Sequence, residues 1–245
     1  MSQPNVVTGA PSASLWEDFI DIIFSPASVF RRRQRGNWFI PLIVVTVAIA
    51  LIVFATRGVL APAVDAEVER AADAMRKNPQ VTEDMIEKAR GYIAWSITFG
   101  PIIFMPIIIM LIGVMTWLVA KLVDARQELR AAMVVTGYSY VPRILQWIVY
   151  AVEGLVLRPD QLNGLAKLSV GPARFVDPVT TNPVVLQMLL RLDLFTIWVT
   201  VLLAIGVYVT GQLSKQRAAV AGVMFWIVGS IPQILSGLRQ MAQAS

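Results

Sequence analysis

The chemistry-bearing residues of this chain are few, and most stand in one stretch, Lys121–Arg143, KLVDARQELRAAMVVTGYSYVPR. It opens as a short charged hairpin, Lys121 to Arg130, and runs into an apolar segment containing Gly137, Tyr138, Pro142 and Arg143. Pro142 has no N–H for the carbonyl of Tyr138, so the helix through this segment must bend there. Arg143 lies about twelve residues into the same helix, roughly 18 Å along it at 1.5 Å per residue. A guanidinium at that depth in a bilayer costs at least ~2.5 kcal/mol if unpaired, which requires a partner. Three partners are open: carbonyls freed by the bend, Glu153 and Asp193. Glu153 is ten residues on and about 80° round the helix, too far for a close neighbour. Asp193 pairs only if its helix sits deeper than an entry point at the outer surface. A structural polar clamp and a site for an anionic solute or a proton are the two uses such a group can have.

Catalytic chemistry has little to work with. The 245 residues include no cysteine and no histidine, which removes thiol catalysis, disulfides, imidazole metal sites and the commonest general base. No Gly-rich phosphate loop, HExxH or GxSxG pattern is present. The chain reads as a non-enzyme with no cofactor and no metal.

The elements that position these residues are membrane helices. Hydrophobic residues make up 56% of the chain and charged residues 15%, with mean hydropathy +0.65, which points to a polytopic membrane protein. The net charge of +5 sits beside the apolar spans, so lipid headgroups and topology account for it without nucleic acid. The expected fold is an all-α transmembrane bundle of five spans, at about 38–56, 93–120, 131–157, 192–213 and 218–238. The second span carries Pro101 and Pro106, each the site of an expected kink. The third is the least apolar, with Thr136, Tyr138, Ser139, Tyr140, Arg143, Gln146 and Glu153, and belongs in the bundle interior or a wet crevice.

Residues 1–13 read as a disordered tail and 14–37 as an amphipathic interfacial helix with a basic flank. Ser14-Leu15-Trp16-Glu17 has the form of a capping box. Leu15, Trp16, Phe19, Ile20, Ile22, Ile23 and Phe24 fill one arc at 100° per residue, with Glu17, Asp18 and Asp21 opposite. Ser25-Pro26 ends that helix. Its acidic face either packs on the bundle against its own arginines or docks a basic partner. Arg31, Arg32, Arg33 and Arg35 precede the first span, set the N-terminus in the cytoplasm and offer contacts to lipid headgroups. The outer segments are 57–92 and 158–191. The first holds six basic and seven acidic residues and reads as a solvated helical hairpin whose second helix starts at Thr82. Asn182-Pro183 fits the start of another helix. Gly222, Gly229 and Ser236 recur every seven residues, a small-residue seam for helix packing within the bundle or between copies. Residues 239–245 form an outer tail.

Taken in order, Phe24-Ser25-Pro26 with Phe30, then Gly137-Tyr138-Ser139-Tyr140-Val141-Pro142, then Leu192-Asp193-Leu194-Phe195-Thr196-Ile197-Trp198 and the Ser214-Lys215 turn, resemble the bacterial branch of the Yip1 domain family. The resemblance runs from about Phe24 to Pro232 and implies a five-helix protein of the bacterial cytoplasmic membrane with its N-terminus inside. It marks Pro26, Gly137, Tyr138, Pro142, Asp193 and Trp198 as motif positions. The eukaryotic Asp-Leu-Tyr-Gly-Pro element has no counterpart before the first span, so recruitment of Rab-type GTPases does not carry over. Two functions are open: a scaffold that organises membrane or holds partners, through self-association or another membrane protein; or a transport component, either a permease or an accessory subunit of an ABC-type exporter.

Overall fold

A computed structural model describes residues 14–244, so the tail expected at 1–13 lies outside the described residues. The described chain is all-helical in its regular structure: α1 (Leu15–Phe24), α2 (Pro26–Arg33), α3 (Phe39–Thr56), α4 (Ala61–Arg76), α5 (Glu83–Leu122), α6 (Leu129–Ser139), α7 (Pro142–Val156), α8 (Pro183–Arg191), α9 (Leu194–Thr210) and α10 (Lys215–Ala244). Three short 3₁₀ turns lie between α7 and α8.

Local chemistry sets several boundaries as expected. Ser14 and Glu17 form the capping box of α1, Thr82 caps α5, and Asn182 accepts from the amides of Val184 and Val185 with Pro183 in the first turn of α8. Pro26 ends α1 and also starts α2, because the N–H groups of a helix's first turn have no intrahelical acceptor and proline there loses no hydrogen bond. α5 stays helical for 40 residues through Pro101 and Pro106. α10 continues to Ala244, so the expected tail after residue 238 is helical in its described part.

The third span, expected as one bent helix over 131–157, is two helices. Tyr140 and Val141 form a turn between α6 and α7. Since Pro142 offers no N–H, the Tyr138 carbonyl accepts from Val141 N at 3.1 Å, and Arg143 N reaches Tyr140 O at 2.9 Å. These three-residue bonds tighten the chain and end α6. The fourth span, expected over 192–213, corresponds to α9, and α8 in the expected outer segment meets it at a 55° bend at residues 192–193.

α6 is the centre of the bundle. Ala131, Ala132, Val134, Val135, Thr136, Gly137, Tyr138 and Ser139 are all buried in this 11-residue helix, so its polar groups meet protein and not lipid. The Thr136 hydroxyl meets that of Thr116 on α5 at 3.1 Å, and Gly206 of α9 lies directly against Val135. The axis α6–α7 runs beside α3 in the same direction. Arg130 Nε donates to Gly36 O at 3.2 Å. A Cβ on Gly137 would lie 2.8 Å from Pro41, and one on Gly154 2.8 Å from Val59. Residues 130 to 154 therefore cover the same height as residues 36 to 59. α9 runs antiparallel to this axis, from Gln127 against Thr210 at 2.6 Å to Arg143 against Thr196 at 3.1 Å.

The outward faces of the long helices are apolar. Ile43, Val47, Leu51 and Phe54 on α3, Ile107, Leu111 and Leu118 on α5, and Val223, Ile227 and Ile231 on α10 are all exposed. In water this arrangement would be untenable; against acyl chains it is the expected surface.

Candidate functional site

The break between α6 and α7 places Arg143 at the start of α7, midway along the axis that accompanies α3. Its Nη1 donates to Gln146 Oε1 at 2.6 Å and its Nη2 to Thr196 Oγ1 at 3.1 Å. Gln146 in turn donates through Nε2 to the Tyr150 hydroxyl at 2.8 Å and to Asp193 Oδ1 at 3.3 Å. Asp193, 3% exposed, caps α9 by accepting from Phe195 N at 2.9 Å. Its other oxygen accepts from Ser169 Oγ at 3.0 Å and Val170 N at 2.7 Å. Of the three partners open to Arg143, Asp193 is the one the fold brings near, through Gln146.

Glu153 points elsewhere and pairs with Arg174 at 2.9 Å. The depth of Asp193 comes from the segment between α7 and α8. That segment is a folded plug, with Leu162, Leu168 and Ser169 buried, and Leu194 N is bonded to Val170 O at 3.0 Å.

A second guanidinium joins this level of the bundle. Arg191, which sequence reasoning left in an outer segment, donates to Ser230 Oγ at 3.1 Å and Trp226 O at 3.2 Å, with its guanidinium 6.0 Å from the Trp226 ring centroid. Gly229 leaves the room: a Cβ there would come within 2.9 Å of Arg191 Nη2. The signal was present as Arg191-Leu192-Asp193, two charges flanking the bend. Gly222 lies against Ala204, and Gly237 against Val184. The small-residue seam of α10 is thus used inside the bundle through Gly222, Gly229 and Gly237. Ser236 stands one residue off it and accepts from Gln240. Trp198 stacks on Phe195, ring centroids 6.3 Å apart.

The other polar centre joins α1 and α2 to the motif tyrosine. Asp18 is fully buried; it receives Arg32 Nε at 2.5 Å and is also bonded by Arg33 Nε. Tyr138 is buried beside this pair of helices, its ring 5.4 Å from that of Phe19. Arg32 also reaches Asp21. Two of the four arginines expected to meet headgroups are thus turned inward onto α1, and Arg31 and Arg35 remain exposed. The buried face of α1 is Asp18 and Ile22. Trp16, Ile20 and Phe24, at four-residue spacing, are 72%, 61% and 79% exposed.

Guanidiniums, amides, hydroxyls and the carboxylates of Asp193, Asp18 and Asp21 fasten helices together: α7 to α9, α8 to α10, α1–α2 to α6. Among the described residues α3, α5 and α10 are long and apolar enough to cross a membrane, and the bent pair α8–α9 passes the same test when taken as one unit, which makes three or four candidate spans. Apolar helices around a polar, interrupted central one define a multi-pass helical membrane protein. The model of the Yip1 domain matches residues 20–235, and the chain belongs to the Yip1 domain family. No curated protein and no solved structure matches it.

Proposed function

We propose that this protein is a non-enzymatic scaffold that shapes the leaflet at the basic end of its bundle. The observation that carries this reading is the seating of α1. Its acidic face is locked by Asp18 onto Arg32 and Arg33, which fixes Trp16, Ile20 and Phe24 outward beside exposed Arg31 and Arg35. A helix held in this way is a wedge: each large apolar side chain inserted among acyl chains contributes about 1.5–3 kcal/mol, and the flanking cations favour anionic headgroups.

The crossing count we favour is five, with α6–α7 as the third, because residues 130–154 keep pace with 36–59 of α3. Arg31, Arg35, Lys121, Arg126, Arg130, Lys215 and Arg217 then gather at one end, which marks it as cytoplasmic. The C-terminus would lie outside, and the membrane would be the bacterial cytoplasmic membrane. The hydrogen-bonded surroundings of Arg143 favour a clamp over a solute path. The accessory-subunit reading draws on α4 and the first turns of α5. This pair is tied by Arg76–Glu83 and Arg90–Glu69 ion pairs and offers a charged surface to a membrane partner.

The test is reconstitution into vesicles containing anionic lipid, with diameters read by cryo-electron microscopy. Wild-type protein is expected to narrow the vesicles, and the triple variant W16S/I20S/F24S, folded by circular dichroism, is expected not to. Equal diameters for the two proteins would overturn the wedge.

A further inference from the structure

A second feature bears on lipid and is independent of α1. Between α9 and α10 runs an open groove of about 510 Å³ whose lining includes Ala204, Tyr208, Lys215, Ala219, Gly222 and Trp226. We propose that this groove is a binding site for one acyl chain of an anionic phospholipid from the leaflet at the basic end, with Lys215 on its phosphate.

Three properties converge on that ligand. The first is length. Lys215 and Trp226 mark the two ends of the α10 side of the groove, and eleven residues of helix cover about 17 Å. Half of a hydrocarbon core of about 30 Å is about 15 Å, so the groove is as deep as one leaflet. Its inner end stops at Trp226, which is fixed in place by Arg191 at the middle of the bundle.

The second property is lining. Small residues line the slot, Ala204 and Ala219 among them, and Gly222 lets α9 and α10 meet closely at Ala204. Polar groups are confined mainly to the two ends. The third is charge at the mouth. Lys215 is exposed and is the first residue of the 30-residue helix α10, so its ammonium and the positive end of the helix act together on a phosphate. Arg217 in the same turn is already paired with Asp124 at 3.4 Å, which leaves Lys215 as the cation for a ligand. A second copy of this chain would fill an apolar slot too; the cation at one end of this one favours an anionic lipid.

The probe is native mass spectrometry of the full-length protein in mild detergent, titrated with phosphatidylglycerol or phosphatidylcholine of equal chain length. One phosphatidylglycerol is expected to stay bound with at least about tenfold preference. Lys215→Glu should cut that preference about fivefold or more. Ala219→Trp, and separately Val223→Trp at a second lining position one turn further along α10, should remove retention of both lipids by filling the slot. Val220→Trp, on the exposed surface of α10 outside the groove, should retain binding. Equal retention of the two lipids by wild type would overturn the proposal, as would undiminished retention in folded Ala219→Trp and Val223→Trp. A dimer dispersed by these substitutions would assign the groove to a second copy.

Discussion

Removing the carboxylate of Asp193 is the sharpest perturbation of the buried polar network. Asp193→Ala deletes the acceptor of four hydrogen bonds, from Gln146 Nε2, Ser169 Oγ, Val170 N and Phe195 N, at 3.3, 3.0, 2.7 and 2.9 Å. Two of these donors are backbone amides, and each left unsatisfied in a buried place costs about 1–3 kcal/mol. The guanidinium of Arg143, linked to Asp193 through Gln146, also loses its nearby counter-charge. The sum falls at about 3–5 kcal/mol, the range for truncating one partner of a buried charged set. At about 2–4 °C per kcal/mol for a chain of this size, the midpoint of heat-induced aggregation should drop by about 6–20 °C.

The assay heats detergent-solubilised protein and follows the monodisperse fraction by size exclusion. Asp193→Asn keeps one carbonyl oxygen but points an amide at the donor Val170 N or its opposite, and should lose about 1–3 kcal/mol. Asp160→Ala, whose side chain is 69% exposed in its pair with Arg158, should stay within about 0.5 kcal/mol of wild type. A midpoint for Asp193→Ala matching that of Asp160→Ala would refute the reasoning.

Other consequences are open to the same protein. Asp18→Ala should release α1–α2, at the low end of about 3–5 kcal/mol because its arginine partners keep some solvent; trypsin should then cut sooner between Arg31 and Arg35, as read by mass spectrometry. Gly206→Ala should destabilise by about 1–3 kcal/mol through overpacking against Val135, and Val135→Ala should recover part of the loss in a double-mutant cycle of thermal midpoints. Outside the membrane, hydrogen bonds from Arg76 and then Arg90 hold the Glu69 carboxyl below its ordinary value. A carboxylate whose pKa is depressed on folding stabilises above its unfolded pKa and loses that contribution as pH falls through the folded one. Protection factors of the α4 amides, referenced to intrinsic exchange at each pH, should therefore fall below the ordinary carboxylate pKa, and Glu69→Gln should flatten that dependence.

What was legible in the sequence followed range of interaction. Ser14 with Glu17, Thr82 and Asn182-Pro183 announce helix starts because their bonds are made within three residues. Pro142 announces the break after α6 for the same reason. The site was legible by residue type and not by partner: Arg143 and Asp193 stood out as polar groups in apolar runs. Yet Gln146 as their link, and Ser169 with Val170 as the lid on Asp193, depend on a plug whose residues look like ordinary loop. Arg191 was hidden because its stabilisers, Trp226 and Ser230, lie 35 and 39 residues away. α2 was missed because Pro26 reads as a terminator when it is also a start.

The central claim is that α6–α7 crosses the membrane as one interrupted span and α8–α9 as another. A chain with no cysteine permits single-cysteine labelling without further changes. Cysteines at Lys77, Asp124, Asp160, Gln216 and Gln240 should be tested in intact spheroplasts with a membrane-impermeant maleimide. The account predicts labelling at 77, 160 and 240, and protection at 124 and 216 until the membrane is opened. Protection at 160 together with 124 would make α6–α7 re-entrant and contradict the five-span arrangement.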